Sequence, residues 1–222
     1  MSSRPGLESV EFPDNPEPRC ACVLLLDVSS SMSGAPIDAL NEGIRSFKNN
    51  VGADDLASLR VEVAIATFSS DVQIVQDFVT VDDFDPPTLT AYGQTRMGAG
   101  ISEALDMVER RKQDYRSNGI SYYRPWVFMI TDGAPTDDVT GASARLKQDH
   151  VDKRVAFFSV GVKGADMQRL KEIGPADREP LLLDGLRFND LFEWLSQSMS
   201  AVSRSQTDAE QIALPAVGWA VV

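Results

Sequence analysis

Cys22-Val23-Leu24-Leu25-Leu26-Asp27-Val28-Ser29-Ser30-Ser31-Met32-Ser33-Gly34 is the stretch whose reading decides the fold. Its first five residues form a short continuous apolar run, the pattern of a central strand covered on both faces, and residues 36–51 then read as a helix. Strand, polar loop and helix in that order open an α/β sheet. Such sheets place their ligands in the crevice at the carboxyl ends of the strands, where several loops converge on rigid supports. Asp27, Ser29 and Ser31 fall in this loop at i, i+2 and i+4, a carboxylate and two hydroxyls at a spacing that suits a hard metal ion.

Two further segments extend the constellation. A polar loop containing Asp85-Pro86-Pro87 closes with Tyr92-Gly93-Gln94-Thr95 and leads into a helical pattern over 97–115, with apolar positions at Ile101, Leu105 and Val108. Thr95 thus supplies a hydroxyl near a helix start. Pro125-Trp126-Val127-Phe128-Met129-Ile130-Thr131 is a second continuous apolar strand, and Asp132-Gly133-Ala134-Pro135-Thr136-Asp137 after it has the chemistry of a sharp turn and a helix cap. Asp132 is the second carboxylate. Oxygen ligands alone favour Mg²⁺ or Mn²⁺, with Ca²⁺ the other hard cation to consider, whereas zinc and copper call for His or Cys, and none is near. Asp27 by itself could merely cap a turn. The other two elements tip the balance to a metal site.

D-x-S-x-S, a downstream Thr loop and T-D-G, in that order, resemble the metal-ion-dependent adhesion site of the von Willebrand factor A family. The resemblance implies a three-layer, doubly wound, Rossmann-like α/β fold. It also implies that Asp27, Ser29, Ser31, Thr95 and Asp132 hold a metal directly or through water, and that an Asp or Glu of a partner protein completes the coordination. From residue 21 to 204, including Gly119-Ile120-Ser121-Tyr122-Tyr123-Arg124-Pro125-Trp126 and Gly164-Ala165-Asp166-Met167, the chain is similar to the bacterial intracellular, tellurite-resistance-associated branch of these domains. That likeness implies association with a Ser/Thr protein kinase and a PP2C-type phosphatase.

The rest of the chain reads as strands and helices in alternation, with no internal repeat. Further strands are expected at 61–68, 155–160 and 181–183, with a short edge strand made of 72–75 and 78–81. Helices are expected at 140–150, 166–173 and 188–203. The sheet should be mostly parallel with one antiparallel edge. Residues 1–19 form a polar, Pro-rich segment, 20–205 one domain, and 206–222 a tail ending in Ala216-Val217-Gly218-Trp219-Ala220-Val221-Val222. An apolar tail is expected to dock on the chain's own surface, the alternative being a strand donated to a partner.

Composition fits one α/β domain. The 222 residues are 43% apolar, enough for a sizeable core. A net charge of −12 argues against nucleic acid and anionic membranes as partners. Residues 1–19 lack the apolar core of a signal peptide or anchor, so a cytoplasmic protein is expected. Cys20 and Cys22 are expected on opposite faces of a strand, which disfavours a disulfide between them. Asp137 and Asp138 are expected to cap the helix that follows them, His150 to sit solvated at a helix end, and Arg110-Arg111-Lys112 to form a solvated face. Gly93 and Gly98 should let the Thr95 loop strain and move, and Arg96 could oppose a metal or pair with Asp132.

Three functions remain open at this point. The first is a non-enzymatic, metal-dependent module that binds other proteins, since no nucleophile and base pair is evident. The second is a Mg²⁺-dependent, phosphatase-like hydrolase using Asp27, although aspartyl-phosphate enzymes place a second Asp where this chain has Ser29. The third is a metal-free structural subunit in which the polar cluster only ties strand ends together.

Overall fold

A computed structural model describes residues 15–207 and 212–221. Most of the N-terminal segment and part of the linker after the last long helix lie outside these residues. Seven strands form one sheet in the order β3-β2-β1-β4-β5-β6-β7, with β1 (Cys20–Asp27), β2 (Val61–Phe68), β3 (Val72–Thr80), β4 (Trp126–Thr131), β5 (Ala156–Gly161), β6 (Leu181–Leu183) and β7 (Ala220–Val221). Helices α1 (Ala35–Gly52), α2 (Asp55–Arg60), α3 (Met97–Ser117), α4 (Thr140–Val151), α5 (Met167–Ile173) and α6 (Phe188–Ser203) cover its two faces. No helix among the described residues is long and apolar enough to cross a membrane.

Every residue of β1, β2 and β4 is buried, which is why these strands read as unbroken apolar runs. Alternate residues of β1 feed two different cores. Cys20, Cys22, Leu24 and Leu26 join Leu40, Ile44 and Phe47 of α1 and Phe192, Leu195 and Met199 of α6. Val23 and Leu25 join Ile101, Leu105 and Val108 of α3 and Leu146 of α4. Helices α1 and α6 meet closely at Gly43, where an added Cβ would stand 2.4 Å from the Phe192 ring.

Several expectations need correction. Cys20 and Cys22 share one face, because a two-residue step along a strand returns to the same side; both are buried free thiols. The edge strand is a single element, β3, which pairs antiparallel with β2 through register shifts near Val63 and Ile65, so its two apolar pieces read as separate. A second antiparallel edge exists: β7 pairs with Leu182 and Leu183. The tail docks on its own chain there, with Trp219 buried against Trp194 at 5.7 Å and Trp194 Nε1 donating to Pro215 O at 2.9 Å. Helix α2 was not anticipated; Asp54 caps it by accepting from the Leu56 and Ala57 N–H groups.

The basic run on α3 is not a solvated face. Val108, Arg111, Lys112 and Tyr115 follow an i, i+3, i+4, i+7 stripe, so Lys112 is buried and Arg111 half-buried, while Arg110 is exposed and pairs with Glu103. Arg111 Nε lies 2.7 Å from the buried Glu62 carboxylate, which also receives Arg19 Nε at 3.0 Å and the Tyr115 hydroxyl. His150 is buried as well, with Nε2 3.2 Å from Asp177 Oδ1. Burial, helped by the nearby Arg124 charge, pushes its pKa down, so it does not act as a solvated cation at the helix end.

Candidate metal centre

The chain reverses its direction of sheet growth at β1, which has β2 on one side and β4 on the other. The crevice beyond these carboxyl ends is the place where open α/β sheets bind ligands. Asp27 ends β1, and Asp132 follows the last residue of β4. Leu26 pairs with Ile130, so Asp27 and Thr131 come next on neighbouring strands.

Asp27 forms the floor, with no exposed surface. Its Oδ1 accepts the Ser29 N–H at 2.8 Å and its Oδ2 accepts the Thr131 hydroxyl at 2.5 Å. Ser29 Oγ lies 3.0 Å from Ser31 Oγ, and Ser31 Oγ donates to Asp132 Oδ1 at 2.7 Å. A short 3₁₀ turn at Ser30–Met32 produces this arrangement by bringing Ser31 back over Ser29. Gly133 borders Thr95 and Asp27: a Cβ there would be 3.1 Å from Thr95 Oγ1 and 3.8 Å from Asp27 Oδ2. The structure therefore brings all five predicted site residues, Asp27, Ser29, Ser31, Thr95 and Asp132, to one crevice. Burial pushes both Asp27 and Asp132 carboxyls up in pKa; hydrogen bonds from Ser29 and Thr131 oppose this at Asp27, and Ser31 opposes it at Asp132.

The Thr95 loop is held on three sides. Tyr92 N–H donates to Val28 O at 2.7 Å and Ser30 N–H to Gly93 O at 3.1 Å, tying it to the Asp27 loop. Arg96 N–H donates to Ser69 O at 3.0 Å, tying it to the end of β2. Thr136 N–H donates to Thr95 O at 2.9 Å, and Thr95 N–H to Thr136 Oγ1 at 3.2 Å, tying it to the Asp132 loop. Gly93 is needed for its left-handed backbone at φ 72° against Ser70, and Gly98 lies within α3 where a Cβ would be 2.5 Å from Asp138 O. Arg96 neither opposes the site nor pairs with Asp132; it is exposed, and Nη1 donates to Ser70 O at 3.4 Å.

Sequence reasoning missed two contributors. Thr131 orients Asp27, and the signal was present in the T of T-D-G once β1 and β4 are known to be neighbours. Asp137 caps α3 instead of the following helix: its two oxygens accept from Gly98 N–H at 3.0 Å and Ala99 N–H at 2.9 Å. Only Asp138 serves α4, accepting from Thr140 N–H at 2.9 Å.

The donor set fits a hard divalent cation. Ligands on adjacent corners of an octahedron with Mg–O distances of about 2.1 Å stand roughly 3.0 Å apart. The Ser29–Ser31 separation of 3.0 Å and the Ser31–Asp132 separation of 2.7 Å are close to that spacing. Among the described residues no three His, Cys, Asp or Glu side chains gather as a candidate metal cage, and three of the five residues in this crevice are hydroxyl-bearing.

Residues 22–190 match the family model of the von Willebrand factor type A domain, and the chain belongs to this family. Its fold is similar to several solved structures. The pilus adhesin SpaC from Lactobacillus rhamnosus GG superposes with a TM-score of 0.63 at 14% identity, covering 84% of this chain and 32% of that one. The ArnB paralog VWA2 from Sulfolobus acidocaldarius gives 0.55 at 18% identity, covering 82% and 45%. Proximal thread matrix protein 1 from the mussel byssus, with a zinc occupied MIDAS motif, gives 0.55 at 16% identity, covering 84% and 49%. This chain thus spans less than half the length of each, and at such identities the likeness speaks for the fold.

Proposed function

We propose that this chain is a non-enzymatic, metal-dependent protein-binding module. Asp27, Ser29, Ser31, Thr95 and Asp132 hold Mg²⁺, or Mn²⁺ or Ca²⁺, and an Asp or Glu of a partner protein takes a remaining position. The observation that carries this reading is the continuous chain of oxygens from Ser29 through Ser31 to Asp132, set over the buried Asp27.

When bound, the cation supplies an electrophilic centre for an acidic side chain. The protein's residues set how strong that attraction is. Two carboxylates bring two negative charges, enough to neutralise a divalent ion and no more, and neutral hydroxyls fill the other places. Thr131 and the Ser29 N–H orient Asp27, and Ser31 orients Asp132. The exposed Ser31 marks the side from which a partner enters.

The tellurite-resistance likeness supports a narrower version: a bacterial scaffold that recruits a Ser/Thr kinase and a PP2C-type phosphatase in the cytoplasm. The two buried free thiols are compatible with a reducing compartment.

Thermal unfolding in EDTA, Mg²⁺, Mn²⁺ and Ca²⁺ tests the metal. At a hundredfold excess over the dissociation constant, binding to the folded state alone stabilises by about 2.7 kcal/mol. For a domain of this size that is a rise of roughly 5–11 °C. A Ser29→Ala, Ser31→Ala chain should show little of it, and a flat wild-type response in all three metals would refute the metal site. Affinity capture from native extract in Mg²⁺ and in EDTA, with the double variant alongside, tests the partner; proteins retained equally in all samples would refute metal-bridged recruitment.

A further inference from the structure

At the end of the sheet opposite Asp27, a pocket of about 120 Å³ opens where β4 and β5 begin. Trp126, Val202, Ile212 and Leu214 give it apolar walls, and Arg124 and Arg178 give it charge. Arg124 is anchored on one side only. Its Nη2 donates to His150 O at 2.7 Å and Val155 O at 2.6 Å, while its buried Nε has no hydrogen-bond partner. A guanidinium N–H left so is an unmet demand for an acceptor. The Arg178 guanidinium carbon lies over the Phe158 ring, 4.3 Å from its centroid. Among the described residues its side chain makes no hydrogen bond or ion pair, and Asp177 acts on it at longer range.

The charge balance is unusual for this molecule. In a chain of net charge −12, two partly buried guanidiniums share one recess. Asp177 is the carboxylate that acts on both, and it is exposed and turned to His150. Burial pushes the pKa of both arginines down, and Arg178 adds repulsion at Arg124. One exposed carboxylate offsets two guanidiniums only in part, so the recess keeps a positive charge that favours an anion. Their combined N–H groups suit a tetrahedral phosphate better than a carboxylate, because a phosphate monoester offers three acceptor oxygens and up to two negative charges. The apolar wall calls for an apolar or aromatic body on the other side of the ester.

We propose that this pocket binds a phosphate monoester carried on an apolar or aromatic group, its oxygens held between the guanidiniums of Arg124 and Arg178. The site is separate from the crevice at Asp27 and does not depend on a metal.

Calorimetric titration of the full chain with phenyl phosphate, inorganic phosphate and benzoate tests this. EDTA is kept present so that phosphate cannot report on a cation at Asp27. Phenyl phosphate should bind saturably and more tightly than either of the others. Arg178→Gln should weaken it at least tenfold, Arg178→Lys less, and Asp27→Asn not at all. Arg178 is chosen because Arg124 also anchors the end of α4 and the start of β5, and its loss could unfold the chain. No saturation with phenyl phosphate up to about 10 mM, where binding free energy falls below roughly 3 kcal/mol, would overturn the proposal. So would equal binding by benzoate, or binding unchanged in Arg178→Gln. Thr207 and Ile212 flank a sequence containing Asp208 and Glu210. A D208N/E210Q chain is therefore titrated too; binding confined to that variant would mean that the chain's own acids compete for the recess, and would also overturn the proposal.

Discussion

Replacing Asp137 by alanine should destabilise the domain by about 1–3 kcal/mol and weaken its metal response. The carboxylate accepts two N–H groups, Gly98 at 3.0 Å and Ala99 at 2.9 Å, at the start of the 21-residue helix α3. No side chain of the helix's own N-cap residue, Arg96, performs this task. Loss of an N-cap acceptor costs about 0.5–2 kcal/mol, and loss of a negative charge at the positive end of a helix dipole about 0.3–1 kcal/mol. Asp137→Asn keeps the shape and one acceptor oxygen, so it should retain about half of the stability. Asp138→Ala serves as the control: it removes one exposed bond to Thr140 N–H and should cost about 0.5 kcal/mol. The same side chain ties the loop that carries Asp132 to the helix that follows Thr95. The midpoint of a Mg²⁺ titration should therefore rise in step with the loss of the cap. Urea unfolding followed by circular dichroism gives the first quantity, and thermal shift against Mg²⁺ the second. A loss below about 0.3 kcal/mol for Asp137→Ala, or equal losses for Asp137→Ala and Asp138→Ala, would show that water serves the start of α3 equally well and that the cap does not brace the site.

Three more outcomes can be read from the packing. Glu62→Gln removes the carboxylate shared by Arg19, Arg111 and Tyr115, all of it at 2% exposure, and should cost about 3–5 kcal/mol in urea unfolding; a loss under about 1 kcal/mol would mean that water or other groups already screen these charges. Gly43→Ala gains up to about 1 kcal/mol of helix propensity but places a Cβ 2.4 Å from the fully buried Phe192 ring, so overpacking of about 1–3 kcal/mol should win, and a raised melting temperature would contradict it. Burial pushes the Cys22 thiol up to about 12 and Cys20 higher still, so both should stay unreactive to a thiol reagent at pH 8 until the chain unfolds; fast labelling of the folded protein would show that β1 opens.

The parts of the fold that were legible in the sequence are those where one residue pattern has one structural meaning. Leu24, Leu25 and Leu26 are each buried, on alternate faces, and only a central strand makes all three so. Asp27, Ser29 and Ser31 lie within one short loop, so their spacing alone brings them together. The parts that were not legible depend on distant partners. Asp137 caps a helix whose start lies about forty positions earlier in the chain, and nothing local distinguishes it from Asp138, which caps its own. Arg111 reads as surface charge because its counter-charge, Glu62, sits in an apolar strand. The pieces of β3 read as two because the register shifts against β2 break the alternation that a sequence pattern relies on. Cys20 and Cys22 lie on one face by the two-residue period of a strand alone.

The depth at which each oxygen sits bears on the choice among the three functions. Asp27 lies at the floor with both carboxylate oxygens engaged, one by the Ser29 N–H and one by the Thr131 hydroxyl. A nucleophile would need an oxygen free to approach the substrate, whereas a ligand needs a fixed one, and Asp27 is fixed. Asp132 is 8% exposed and already bonded by Ser31, while Ser31 itself is exposed. Asp27 is thus deepest and the Ser31 hydroxyl outermost, with Ser29 and Thr95 at least as fully buried as Asp132. An incoming partner carboxylate would approach past Ser31, and repulsion from Asp27 is weakened by its depth and that from Asp132 by the metal's own charge. A carboxylate in the exposed place of Ser31 would serve to trap a cation but would turn an acidic partner away. On this ground the arrangement favours a module that binds proteins through a metal over a hydrolase and over a metal-free tie between strand ends.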